Sequence, residues 1–253
     1  MNDASEVTLL LHAFAPPLVA EDTRSLAVVQ AMERGMAGLR LEWTISDDGS
    51  VLPVPHDERG TWRKPEDGGF LLLCNADSKS PVTLSQREIP AELCPGGKAQ
   101  LDVFAEWPMN DVGLEAAADV LAGVAEACRA FWAHVTPSGF ASVVWDQMSH
   151  TPGAPMKSPG GLPMLKQAWD IRSADIPRHL GWLNYWSAAA ARAIGFPDPN
   201  LDVNLMARSR RTQSGGWVVR LTDEPLDARN PAHIQAVMQA YERFPVIGGR
   251  APA

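Results

Sequence analysis

The sequence has few cysteines, no long hydrophobic run and no excess of basic residues. Only three cysteines occur in 253 residues, and an odd number without close pairs argues against a disulfide framework. No stretch approaches the roughly 20 consecutive apolar residues that a membrane-spanning helix needs, so we do not expect a membrane protein. Lys and Arg number 22 against 30 Asp and Glu, which gives a formal net charge of −8 at pH 7. An acidic chain without a basic stripe is not expected to bind nucleic acid.

Sequence motifs of nucleophilic catalysis, phosphate binding and metal binding are also absent. The chain contains no G-x-S-x-G elbow, the turn that presents a catalytic serine. Neither a G-x-x-x-x-G-K-[ST] loop nor a G-x-G-x-x-G loop occurs, so no phosphate cradle is indicated. The histidines lie at positions 12, 56, 134, 150, 179 and 233, and no two have the spacing of a zinc site. The sequence therefore predicts no metal, no cofactor and no catalytic residue, although a site assembled from distant residues stays open.

The start of the chain and the cysteine positions indicate a reducing compartment. Polar residues from Asn2 to Glu6 precede a short apolar run, without the basic start of a signal peptide. We therefore expect a cytoplasmic protein. Cys94 lies beside Pro95 and two glycines in a predicted turn, so we expect it to be the exposed thiol.

Composition and patterning predict a folded domain that contains both helices and strands. Hydrophobic residues make up 45% of the chain, which is enough to bury a core. Strand-like and helix-like segments follow one another without the regular alternation of a nucleotide-binding α/β fold. We predict an α+β fold, in which about five helices pack on a mixed, mainly antiparallel sheet.

Individual elements follow from the spacing of the apolar residues. Apolar residues at helical spacing predict one long helix that begins with Asp111 as its cap and continues to Val135. Ala141–Gln147 and His179–Trp186 each predict a strand. Pro231 predicts the first turn of the last helix.

Glycine and proline cluster most densely in one segment, TPGAPMKSPGGLP from position 151 to 163. Such a segment cannot form a helix or a central strand. It therefore predicts a division into two halves. Residues 1–150 would form an N-terminal α+β half, residues 151–170 a Gly/Pro-rich connection, and residues 171–253 a C-terminal α+β half.

Tryptophan is frequent, with nine residues against two tyrosines. Trp182, Trp186 and Trp217 lie on predicted strands of the second half. They could form a ring-stacking platform for a ligand, but large aromatic residues on a strand are more typical of a packed core. We expect them to pack on the last helix, whose apolar stripe consists of Ile234, Val237, Met238 and Tyr241.

An acidic group follows the predicted strand that begins at Trp217. It consists of Asp223, Glu224 and Asp227, and Pro225 restrains the turn between them. These carboxylates could serve local helix capping, because negative charge is favoured near a helix N-terminus. They could instead present an acidic surface to a basic partner. We take them as the candidate partner-binding residues.

Several stretches resemble a known bacterial family. They are MER from Met32, LRLEW from Leu39, HLGWLNYWS from His179, IGFPD from Ile194, LTDEPLD from Leu221 and YERFP from Tyr241. Over nearly its whole length the chain thus resembles the domain-of-unknown-function family numbered 5953. The resemblance implies no catalytic residues, because no activity is established for that family.

A shorter stretch is similar to immunity proteins of bacterial toxin systems, in particular to the family numbered 52. The matching positions are Pro225, Leu226, Asp227, Asn230 and Pro231. This similarity implies a protein partner, because immunity proteins commonly present carboxylates to cationic toxin sites.

These observations lead to one main hypothesis and two alternatives. The main hypothesis is a non-catalytic cytoplasmic binding protein, such as an immunity or inhibitor protein that neutralises a cationic toxin or effector. One alternative is an enzyme whose site is assembled from residues distant in sequence. The other is a structural or oligomeric protein, and the sequence does not indicate an oligomeric state.

Overall fold

Ten antiparallel strands form one sheet in the computed structural model, which describes residues 7–20, 22–46, 48–54, 72–148 and 161–251. The strands are β1 (Thr8–Ala15), β2 (Trp43–Ile45), β3 (Val51–Pro53), β4 (Leu73–Cys74), β5 (Thr83–Ile89), β6 (Gln100–Pro108), β7 (Trp132–Pro137), β8 (Leu183–Trp186), β9 (Ser209–Arg211) and β10 (Trp217–Arg220). Their order across the sheet is β3-β2-β4-β5-β6-β1-β7-β8-β10-β9. The longest strands, β6 and β1, lie next to each other near the middle of the sheet.

Within the described ranges, six α-helices accompany the sheet. They are α1 (Arg24–Gly35), α2 (Asp111–Cys128), α3 (Ser138–Met148), α4 (Ala188–Ile194), α5 (Val203–Met206) and α6 (Pro231–Arg243). The predicted α+β fold with an antiparallel sheet is thereby confirmed. None of the helices in the described part of the chain is long and apolar enough to cross a membrane.

Strands from both predicted halves belong to the same sheet. β7 pairs with β8, with Trp132 opposite Trp186 and His134 opposite Asn184. Most of the Gly/Pro-rich segment lies outside the described residues, which resume at position 161. The division of the chain into two halves therefore stays a prediction.

The two faces of the sheet carry different chemistry, as β1 shows. Leu9, opposite Trp107 of β6, faces α2, because the Trp107 indole N–H donates to the carbonyl of Gly113 in that helix at 3.1 Å. Successive side chains on a strand point to alternate faces. Leu10 and His12, which alternate with Leu9 and Leu11 along β1, therefore point to the opposite face. α3 packs on β1 and β7, and it covers this second face.

The predicted long helix is wrong in its last two turns. α2 ends at Cys128, and Arg129 adopts a left-handed conformation with φ of 58°. The chain then returns as β7, every residue of which is buried between β1 and β8. Tertiary pairing decides here, because a short apolar run fits a buried strand as well as a helix. The cap is Asn110 and not Asp111, since the Asn110 side chain accepts from the Gly113 N–H at 2.9 Å.

Other elements differ from prediction in type or extent. The predicted strand Ala141–Gln147 lies inside α3, where Phe140, Val144 and Gln147 are buried at helical spacing. Only the last four residues of His179–Trp186 form a strand. The opening of α6 at Pro231 is confirmed.

Cys94 is buried, contrary to the expectation of an exposed thiol. Its Sγ lies 3.5 Å from the carbonyl oxygen of Ile89. The following turn is covered by a later segment, since the Gly96 N–H donates to the carbonyl of Ile171 at 2.9 Å. Cys74 and Cys128 are buried too.

An ion pair fixes the start of α1 against the end of α2. The Arg24 guanidinium binds the Asp22 carboxylate at 2.6 Å and also donates to the carbonyl of Cys128 at 3.0 Å. The hydrogen bond from the Arg24 side chain lowers the pKa of Asp22 to about 2.

We expect this pair to contribute acid-sensitive stability. The folded-state pKa of Asp22 lies below its unfolded value of about 4, so its contribution is complete above pH 4 and is lost as the pH falls to about 2. In urea unfolding, Asp22→Asn should be less stable than the wild type at pH 7, and the difference should vanish near pH 2. A difference that persists at pH 2 would contradict this role for the carboxylate charge.

Candidate functional site

A pocket of about 310 Å³ lies on the sheet face that α3 covers. Four strands, α3 and the segment before β8 supply its walls. The lining residues are Leu10, His12, Phe14, Arg87, Ile89, Asp102, His134, Thr136, Ala141, Val144, Trp145, Met148, Arg178 and His179. The pocket therefore combines apolar walls with a group of titratable side chains.

Strand register brings the polar residues of the pocket together. His12 of β1 lies opposite His134 of β7, although the two are far apart in the sequence. On the other side of β1, Asp102 of β6 lies opposite Arg87 of β5. Cross-strand partners point to the same face of a sheet, so these four side chains share one surface.

A nearly inaccessible carboxylate organises one side of the pocket. Asp102 is 1% exposed, and its Oδ1 lies 3.2 Å from Nδ1 of His12, which is 30% exposed. The Arg87 guanidinium binds Oδ2 of Asp102 through Nε at 3.0 Å and Nη2 at 2.9 Å. Burial alone would raise the pKa of Asp102, but the hydrogen bonds and charges of His12 and Arg87 hold it below its ordinary value. Asp102 is therefore ionised at neutral pH, and its hydrogen bond fixes the orientation of the His12 ring.

Two buried histidines form the other side. Nε2 of His134 and Nε2 of His179 are 2.7 Å apart, and Nδ1 of His134 lies 3.1 Å from Oγ1 of Thr136. Burial lowers the pKa of both, that of His179 to about 3, and the nearby Arg178 charge acts in the same direction. Both rings are thus neutral at pH 7, and one Nε2 carries the shared proton. Gly181 permits the segment before β8 to lie this close to β7, because a Cβ at position 181 would lie 2.6 Å from Oγ1 of Thr136.

Arg178 is a cation without a carboxylate partner among the described residues. Its guanidinium carbon lies 4.0 Å from the centre of the Phe14 ring. Nη2 donates to Oε1 of Gln100 at 3.3 Å, and Nε is buried with no hydrogen-bond partner in the described part of the protein. Burial lowers the pKa of Arg178, and the charge of Asp102 opposes that shift.

The pocket is chemically suited to binding. Among the described residues, its lining contains no serine, cysteine or lysine nucleophile, and the Thr136 hydroxyl is in contact with His134. Within the described ranges, no group of three or more His, Cys, Asp and Glu side chains is placed to hold a metal ion. What remains is two guanidinium groups, one partly exposed imidazole and an apolar wall.

Sequence reasoning missed this pocket, although part of the signal was present. His12 alternates with Leu9, Leu11 and Ala13 on β1, which places it on a separate face of the strand. His134 was obscured, because its segment was predicted as the end of a helix. His56 and His150 lie outside the described residues.

The predicted partner-binding residues lie elsewhere, in the turn between β10 and α6 that we call the acidic turn (residues 222–230). Asp223 is 84% exposed, with Oδ1 4.0 Å from Nη1 of Arg208. Glu224 is exposed as well. Asp227 has a local role, because its Oδ1 accepts from the Arg229 backbone N–H at 2.9 Å and from the Arg229 Nε at 3.2 Å. These hydrogen bonds from Arg229 lower the pKa of Asp227.

A hollow of about 620 Å³ adjoins the acidic turn. Residues 224–230 form one wall, and Val7, Met109, Leu114 and Pro137 contribute an apolar wall. The acidic turn thus presents Asp223 and Glu224 beside a concave surface, whereas Asp227 stabilises the turn itself.

Comparisons with known proteins give one family, and solved structures that are similar in fold. The family model described as "Domain of unknown function (DUF5953)" matches residues 20–252. No curated protein matches the chain in sequence. Among solved structures, the Pseudomonas aeruginosa T6SS protein PA0821 is similar in fold, with a TM-score of 0.55 and 9% sequence identity, over 94% of this chain and 76% of that one. The similarity to the immunity proteins numbered 52 is not shown by these comparisons.

Proposed function

Since the chain belongs to the DUF5953 family and has a fold similar to that of a T6SS protein, we propose that it is a non-catalytic cytoplasmic binding protein. In this proposal it acts as an immunity or inhibitor protein and neutralises a cationic toxin or effector. The similar fold supports a toxin-related role, and the net charge of −8 fits a basic partner.

The observation that carries the proposal is the set of hydrogen bonds that holds the backbone of the acidic turn. The Thr222 hydroxyl donates to the carbonyl of Glu224 at 2.6 Å, and the Asp227 N–H donates to Nδ1 of His233 at 3.0 Å. Leu226 is buried in the core between these two bonds. The backbone that carries the two exposed carboxylates is therefore held in place before a partner arrives, so little backbone entropy is lost on binding.

Exposed charge of this kind acts mainly on the rate of association. Carboxylates at an interface rim attract a cationic surface and make binding salt-dependent. Arg208 does not neutralise Asp223 effectively, because a solvent-exposed pair at 4.0 Å is weak. A cationic group of a partner can therefore replace Arg208 beside Asp223.

We expect Asp223→Asn combined with Glu224→Gln to weaken partner binding about tenfold or more. Any net positively charged protein that a neighbouring gene encodes is a suitable partner to test, and calorimetry at low and high salt measures the affinity. The variant should also lose part of the salt dependence while keeping the wild-type melting temperature, because both side chains are exposed.

A matched control removes the same number of charges elsewhere. Glu92→Gln with Glu242→Gln alters two exposed carboxylates outside the acidic turn and should leave the affinity near the wild-type value. Equal affinity and equal salt dependence in the acidic-turn variant and the wild type would overturn the proposed interface.

Asp227→Asn should behave differently. Because Asp227 accepts hydrogen bonds from Arg229 within the turn, this variant should lower the melting temperature. Once folded, it should keep most of the affinity. An unchanged melting temperature together with a large loss of affinity would instead place Asp227 in the interface.

A further inference from the structure

The geometry points to a second binding site, independent of the acidic turn: we propose that the pocket around Arg178 and His12 binds a small monocarboxylate with an apolar body. Nothing in the proposed toxin-neutralising function requires this site.

The charge balance of the pocket favours an anion. Asp102 is the one carboxylate among the lining residues that the structure describes, and it is bound by both Arg87 and His12. Arg178 makes no ion pair with any described carboxylate. One guanidinium charge is therefore left uncompensated beside apolar walls, where an unpaired charge is costly. A single negative charge on a ligand would compensate it.

Arg178 is also held ready for a carboxylate. Its guanidinium carbon lies over the Phe14 ring, 4.0 Å from the ring centre, and this contact helps to hold the guanidinium in position. Only Nη2 has a hydrogen-bond acceptor in the described residues, at the long distance of 3.3 Å. Guanidinium groups bind carboxylates through paired N–H donors, and a preordered donor loses little entropy on binding.

The remaining walls define the rest of the ligand. They are mostly apolar and include Leu10, Phe14, Ile89, Ala141, Val144 and Met148. The volume of about 310 Å³ is at the small end of the range of roughly 300–1,000 Å³ for ligand pockets. One aromatic ring or a short aliphatic chain therefore fits beside the carboxylate.

Asp102 selects for a single negative charge. Its ionised carboxylate lines the same pocket, so a second negative charge on the ligand would meet repulsion. A monocarboxylate should thus bind better than a phosphate ester of the same ring.

Calorimetric titration of the full chain with phenylacetate tests this proposal. We expect saturable binding at one site per chain, and at least about tenfold weaker binding of the neutral isostere phenylacetamide and of phenyl phosphate. Arg178→Gln should weaken phenylacetate binding by at least about tenfold, whereas Arg211→Gln, at an exposed position, should leave it unchanged.

A second variant keeps the test decisive if Arg178→Gln does not fold. Ala141→Phe adds a ring to the α3 wall without altering any polar side chain, so it should abolish phenylacetate binding while the circular dichroism spectrum stays native. Absence of phenylacetate binding at millimolar concentration, equal affinity for phenylacetamide or tighter binding of phenyl phosphate would each overturn the proposal. So would unchanged phenylacetate affinity in Ala141→Phe.

Discussion

Replacing Trp186 by alanine is expected to destabilise the protein by about 3–5 kcal/mol, the usual cost of truncating a buried aromatic side chain. Trp186 is completely buried on β8. Its ring meets Phe196 with a centroid distance of 5.1 Å and Phe244 at 5.3 Å. The side chain thus connects the sheet to the residues that follow α4 and α6, and its loss would leave a cavity between them.

Two variants separate this packing effect from other consequences of the mutation. Trp186→Phe should cost much less than the alanine variant, because it retains a ring and removes an indole N–H that has no partner among the described residues. Trp169→Ala makes the same change at a side chain that is 53% exposed, and it should alter the free energy of unfolding little. If urea unfolding gave similar values for Trp186→Ala and Trp169→Ala, the proposed packing of β8 would be wrong.

The buried pair His134 and His179 should make the protein sensitive to mild acid. Burial lowers the folded-state pKa of both, and that of His179 to about 3, whereas a histidine in the unfolded chain titrates near 6.5. As the pH falls below 6.5, protons therefore bind the unfolded state preferentially. Stability should therefore fall as the pH drops from 7 to 5, by at most about 1.4 kcal/mol per pH unit for each histidine that is neutral in the folded state and protonated in the unfolded chain.

Urea unfolding at several pH values measures this dependence. His179→Gln removes one titrating group and should flatten the curve between pH 7 and pH 5, and His134→Gln with His179→Gln should flatten it further. The Asp22 contribution is separable, since it falls in the window between pH 4 and pH 2. A wild-type stability that is constant from pH 7 to pH 5 would contradict the buried neutral pair.

The class of fold was predictable from the sequence because it depends on local features. Apolar spacing and Pro231 at the start of α6 are local features, and the structure contains this helix as predicted. The type of element was not predictable where tertiary pairing decides it. β7 is a strand because β1 and β8 hydrogen-bond to it on both sides, and this pairing is not encoded in its own residues.

Which side chains of the predicted C-terminal half are buried was predictable in part. Trp182, Trp186, Val237 and Tyr241 are buried as expected, whereas Trp217, Ile234 and Met238 pack against the core but stay partly exposed. The partial exposure of Trp217 depends on tertiary structure, since its strand β10 lies next to β9, which forms the edge of the sheet.

The pocket could not be predicted for the same reason. Its polar residues come from four strands and a segment before β8, and only the strand register joins them. The acidic turn is different, because its residues are consecutive in the sequence. There the sequence located the carboxylates, and the structure added that Asp227 is bound by Arg229 while Asp223 and Glu224 face solvent.

The most direct test of the proposed function is protection of growing cells. Bacteria that express a net positively charged toxin candidate, chosen from any that a neighbouring gene encodes, would be supplied with the wild-type protein, the Asp223→Asn, Glu224→Gln variant or the Glu92→Gln, Glu242→Gln control. We predict that the wild type and the control restore growth and that the acidic-turn variant restores it poorly, although all three accumulate to the same level. Growth restored equally by the acidic-turn variant, or no protection by the wild type, would contradict the proposed neutralisation through the acidic turn.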